Sequence, residues 1–132
     1  ELRSQTSIRL ACGQNEGQAY RFRDMMIAGA VDIIQPNVAI TGGFTQCQKI
    51  AALANSFNIS VDNGGAWPFF NQHLQAGLSN GGLVEYHYSS VEVCKLIYIG
   101  LPEPKQGWLT MTDAPGLGFE LNTAALPHFE ID

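Results

Sequence analysis

One stretch, Val31–Ile59, constrains the fold more than any other. Val31–Ile34 is a short, nearly unbroken apolar run, the pattern of a strand buried on both faces. Pro36 ends the run, Gly42–Gly43 permits a tight backbone passage, and Thr45 is placed to cap a helix. Ile50, Leu53, Ala54 and Phe57 then recur at i, i+3, i+4 and i+7, which makes one face of that helix apolar. Ile59–Val61 opens a further strand run. A strand, loop, helix and strand in succession predicts two parallel strands joined by a right-handed crossover.

The same alternation recurs along the chain. Ile8–Cys12 reads as a strand leading into the polar loop Gly13–Gly17, and Gln18–Ala28 as a helix with Ala19, Phe22 and Met26 on one face and Gly29 at its end. Ile59–Asp62 is the third strand, Asn71–Ser79 a short helix and Leu83–His87 the fourth strand. Val91–Tyr98 reads as a helix, Gly100–Pro104 as an extended linker, Trp108–Met111 as a short strand and 113–118 as a turn before an irregular tail. Strands and helices alternating at about this spacing predict an α/β domain.

Four such units are too few for a closed (β/α)8 barrel, which takes eight strands and about 250 residues. No GxGxxG or Walker loop follows any strand, so a doubly wound nucleotide-binding sheet has no support. Part of a barrel leaves two unpaired strand edges. The chain opens with Glu1, and Glu1–Thr6 reads like the end of a helix and a turn, so a piece of a longer polypeptide is expected. Charged residues are only 14% of the 132, against roughly 25% in an average globular domain. Low charge and open edges together predict association, as a homo-oligomer or with the other half of a barrel.

Charge also limits the partners. The net charge is −5 and the seven Lys and Arg are scattered, which argues against nucleic acid. No apolar run approaches the ~18 residues of a membrane span. Cys12, Cys47 and Cys94 are odd in number and dispersed, the pattern of buried reduced thiols in a cytoplasmic protein. Cys12 in particular is expected to lie inside a buried strand and to be inert.

Parallel α/β proteins gather ligands at the C-terminal ends of their strands. Here those ends carry Gln14, Asn15 and Glu16, then Gln35 and Asn37, then Asp62 and Asn63, then Glu85 and His87. Trp67 and Phe69–Phe70 either wall a pocket mouth or pack. His73 and the Met25–Met26 pair read as packing residues.

The ordered series GQNEG, DIIQPN, TGGFTQCQKIAALA, the glycine-rich loop, HLQAG, VEYH and PGLGFEL resembles the second half of a barrel of the enolase superfamily, in its mandelate racemase/muconate lactonizing enzyme group. The resemblance runs from about Thr6 to Leu121. It implies a (β/α)7β barrel of TIM type, with these four strands as the fifth to the eighth. Residues 1–99 would form the partial barrel domain, and residues 100–132 an extension returning toward a capping domain outside this chain.

The resemblance also implies a chemistry: Mg²⁺-dependent removal of a proton α to a carboxylate, as in acid-sugar dehydratases and related lyases and isomerases. Family members hold Mg²⁺ with three acidic residues at the ends of the third to fifth strands. Of these only the last falls in this chain, at Gln14, where the family usually has Glu. Gln14 faces the metal or only bonds its loop, and Glu16 is a second candidate ligand. Glu85 matches a family carboxyl group that hydrogen-bonds the substrate carboxylate as an acid, the catalytic assignment here. Asn37, Asn63, Trp67 and His87 are expected to contact substrate.

Departures from the pattern matter equally. The His–Asp dyad of the racemases would need Asp at Asn37 and His near Gly64, and neither is present. A glycine has nothing to titrate, which argues against a two-base racemase. No KxK lysine motif occurs. The isolated chain is therefore expected to be inactive. The alternative is a non-catalytic module that binds an acid sugar or serves assembly.

Overall fold

The computed structural model describes residues 1–129. A short 3-10 helix, Leu2–Gln5, precedes the sheet. The strands β1 (Ala11–Cys12), β2 (Ile33–Ile34), β3 (Ser60–Asn63) and β4 (Gly81–Val84) pair in chain order, all in parallel. Helices α1 (Ala19–Ile27), α2 (Gly43–Ser56) and α3 (Pro68–Ala76) connect them. The expected α/β alternation is the architecture.

The core follows from the strand period of two. Ile34 and Val61 face the helices and are sealed there by Phe22, Met26, Ile50 and Ala54. Leu53 packs at the margin of this cluster, whereas Phe57, expected on the same face, is exposed at the helix end. A second cluster of Val38, Cys47 and Leu74 joins α2 to α3. Burying an apolar side chain of this size contributes about 2 kcal/mol, so these clusters are what hold the short strands together.

Several local expectations are corrected. Thr45 does not cap α2; Gly42, left-handed at φ 89°, occupies the N-cap and Thr45 lies in the first turn. Helix α3 starts at Pro68, because proline presets φ and its absent N–H is not needed at a helix start. The eighth-strand run ends at Val84 rather than His87, because His87 turns to cap the helix α4, Tyr88–Ile97. The stretch Trp108–Met111 forms no strand and makes only a bridge from Trp108 to Lys105. The tail is less irregular than expected: β5 (Tyr98–Ile99) pairs antiparallel with β6 (Glu120–Leu121).

That pairing packs the tail onto α3 and α4. Phe69, Val91 and Cys94 are buried beneath Tyr86, Tyr98, Leu101, Leu109 and Phe119. The rings of Phe69, Phe70 and Tyr98 all meet Phe119 edge to face, at 5.2–6.4 Å between centroids.

Cys12 is exposed, contrary to the buried placement expected of it, because β1 is an edge strand with no neighbour beyond it. Cys47 and Cys94 are buried, and burial pushes the Cys47 thiol up to about 11. No helix among the described residues is long and apolar enough to cross a membrane.

Candidate functional site

The C-terminal ends of the four strands meet around one backbone segment, Gly64–Trp67, which links β3 to α3. Its conformation is unusual. Gly65, Ala66 and Trp67 all have positive φ, at 77°, 75° and 60°. Two consecutive non-glycine residues in the left-handed region are strained, and such strain persists only where the surroundings over-determine it.

The surroundings do so here. The Asn37 Nδ2 amide donates to the carbonyls of Gly64, Gly65 and Ala66 at 2.8, 2.9 and 3.0 Å. Asn71 Nδ2 adds a second bond to the Ala66 carbonyl at 2.9 Å. From the other side Glu85 Oε2 accepts the N–H groups of Gly65 and Ala66 at 2.6 and 3.2 Å. Ser90 Oγ accepts the Trp67 N–H at 3.4 Å. The segment is gripped by its carbonyls through β2 and by its N–H groups through β4.

This grip changes what individual residues can offer a ligand. Asn37 is fully buried, and its Oδ1 accepts the Ala39 N–H at 2.9 Å, so both ends of its amide are engaged by backbone. Asn37, expected to contact substrate, holds the loop here. Glu85 Oε1 makes no hydrogen bond among the described residues, both loop N–H groups converging on Oε2. Asn63 is buried; its Nδ2 donates to the Pro36 carbonyl, and its Oδ1 has no partner among the described residues. His87 Nδ1 accepts the Ser90 N–H at 3.4 Å, as the cap of α4. His73 Nε2 meets the Leu117 carbonyl at 3.0 Å. Trp67 is partly buried and packs edge to face on Phe70, 6.4 Å between centroids.

Gln14 lies at the tip of β1 and lines a depression of about 330 Å³ with Gly13, Asn15, Glu16 and Gln35. The Glu16 carboxylate is tied to Arg21 at 3.2 Å. Gln35 is a site residue to which the family resemblance assigns no role. The usable signal was its place two residues before Asn37, at the end of the apolar run.

A magnesium ion does not fit the donors of this chain. Mg²⁺ takes hard oxygen ligands in octahedral geometry, with carboxylates supplying charge. Here the tip of β1 offers the neutral Gln14, and the carboxylate two residues on, Glu16, is already paired with Arg21. Among the described residues no three His, Cys, Asp or Glu side chains are grouped to hold a metal.

Comparison with known proteins places this geometry. Residues 1–125 match the family model described as enolase C-terminal domain-like. A D-galactonate dehydratase family member of Enterococcus gallinarum is 27% identical over 134 residues, covering 97% of this chain and 33% of that protein. The L-rhamnonate dehydratase of Saccharopolyspora erythraea is 30% identical over 126 residues, covering 91% of this chain and 32% of that one. Among solved structures, a mandelate racemase/muconate lactonizing enzyme from a marine actinobacterium, in complex with magnesium, superposes with a TM-score of 0.85 at 29% identity. That match covers 96% of this chain and 36% of the other. The chain spans about a third of the length of the curated relatives it matches.

Proposed function

The chain belongs to the enolase C-terminal domain-like family, and from that premise we propose that it is the C-terminal part of an enzyme that dehydrates an acid sugar. In that reaction a base removes the proton α to the carboxylate, and the enolate then expels a β-hydroxyl as water. The observation that carries the reading is the convergence of Gln14, Gln35, Asn37 and Glu85 on one strained loop at the strand tips.

Within it, Glu85 acts as an acid whose Oε1–H donates to the substrate carboxylate, while Oε2 accepts the loop N–H groups. Asn63 offers its unpartnered Oδ1, and Trp67 walls the mouth. Neither a base lysine nor a dyad histidine is available on these strands, so the base comes from outside this chain. The same holds for the acidic ligands of any magnesium ion, and no step on this chain's residues runs through a metal. Residues 100–129 extend toward a capping domain, the last three positions of that extension lying outside the described residues, and the exposed edges of β1 and β4 take the remaining strands of a barrel or a second copy.

The test has two arms. An acid sugar such as D-galactonate, titrated into the chain, is expected to bind, and Glu85→Ala to weaken it about tenfold, the worth of one charge-assisted hydrogen bond. Unchanged affinity in the variant rejects the role of Glu85. Assayed with Mg²⁺ against acid sugars, the chain by itself is expected to give no turnover; substantial turnover rejects the claim that the base lies elsewhere.

A second reading is a binding module without catalysis. It is favoured by Asn37 and Gly64 standing where the family's racemases have Asp and His, and by the neutral Gln14. A Mg²⁺ titration of the full-length parent separates the two. No effect on stability or acid-sugar affinity favours the non-catalytic module.

A further inference from the structure

We propose that Gln14 and Gln35 form a hydroxyl-binding subsite above Gly64, and that Gln14 serves it in place of a metal. A Cβ built on Gly64 would lie 2.7 Å from Gln35 Nε2 and 2.9 Å from Gln14 Oε1. The two amide ends therefore pack against Gly64 more closely than any side chain at that position would allow. Both line the same depression of about 330 Å³, and neither amide makes a hydrogen bond to another described residue. Gly64, against which both amide ends pack, is held by Asn37 Nδ2, which donates to its carbonyl at 2.8 Å.

The chemistry of the pair selects its ligand. Each primary amide presents two N–H donors and an acceptor oxygen, all neutral. Such a pair complements hydroxyl groups, which donate and accept at once. It compensates neither a carboxylate nor a divalent cation, because it brings no charge. Glu85, which engages the loop through Oε2 from the opposite strand edge, presents its Oε1–H at the other end of the site, a donor that a carboxylate accepts. The polyol segment of an acid sugar therefore lies on the Gln14–Gln35 side, and its carboxylate end on the Glu85 side. This orientation rests on the acid-sugar reading above, whereas the subsite itself does not.

Galactitol, an uncharged polyol, and D-galactonate are the probes, followed through the side-chain amide resonances of Gln14 and Gln35. Both ligands are expected to shift these resonances, and Mg²⁺ alone to leave them in place. Gln35→Ala is expected to lower both affinities about tenfold. Gly64→Ala is expected to do the same by displacing both amide ends while leaving both glutamines in the sequence. Gly64 is not in the left-handed region, and the new methyl meets only flexible side-chain ends, so the fold is retained.

A Mg²⁺-induced shift at Gln14, or unchanged polyol affinity in both variants, overturns the proposal. If D-galactonate binds with unaltered affinity in both variants and galactitol does not bind, the subsite is wrong and the acid-sugar reading stands. If neither ligand binds, both fall.

Discussion

The two central strands and the two edge strands of this sheet are built from similar short runs and meet opposite fates. Strands β2 and β3 bury Ile33, Ile34 and Val61. Strands β1 and β4 leave Ala11, Cys12 and Leu83 exposed, Leu83 at 73%. The difference is position alone: a central parallel strand has neighbours on both sides, and an edge strand has an unpaired row of backbone groups. The site inherits this asymmetry. Asn37 and Asn63, at the central tips, are buried, whereas Gln14 and Glu85, at the edge tips, stay open.

A thiol reagent tests that contrast most sharply. Cys12 on the edge is expected to label in the native protein, while Cys47 and Cys94, buried and with raised pKa, label only on unfolding. Equal labelling of all three would remove the distinction. At the centre, Ile34→Ala is expected to cost about 3 kcal/mol in a denaturant melt, because the sealed cluster cannot close over the cavity. A cost near zero would mean that β2 is not central.

At the tip of the same strand, Asn37→Ala is expected to cost about 2 kcal/mol, since three loop carbonyls lose their amide. It should also raise hydrogen exchange at Gly65 and Ala66 more than elsewhere. Exchange that rises evenly over the chain would refute a local grip.

The smallest effect lies between β1 and β2. The Leu10 N–H, joined by Arg3, holds the Asp32 carboxyl below its ordinary range against a desolvation effect that raises it. With the folded pKa depressed, this contribution is present above the unfolded pKa and is lost as pH falls through the folded one. Asp32→Asn is therefore expected to flatten the acid limb of the stability profile below about pH 4. An unchanged acid limb would show that Asp32 has no such part.

Much of this was legible in residue order. The apolar run at Val31–Ile34, the i, i+4 pair Ile50 and Ala54, and Gly29 after α1 specify local geometry through backbone sterics and side-chain period, and the elements formed where those patterns lie. The strand-end polar residues were legible as a set, because parallel topology puts all strand tips on one side. Their individual tasks were not. Asn37 acts on residues 64–66 and Glu85 on residues 65 and 66, contacts that no local pattern encodes. The pairing of β5 with β6 spans about twenty residues of loop and escaped for the same reason.

What residue order determined by itself is the alternation of strands and helices and the neutral amide of Gln14 at the tip of β1, since both derive from side-chain identity and spacing. Which strands are edges, which asparagines are engaged by backbone, and which glutamines remain open to a ligand were decided only by packing. Those properties depend on neighbours distant in the chain, and a side chain's hydrogen-bonding capacity is free or engaged only once those neighbours are in place.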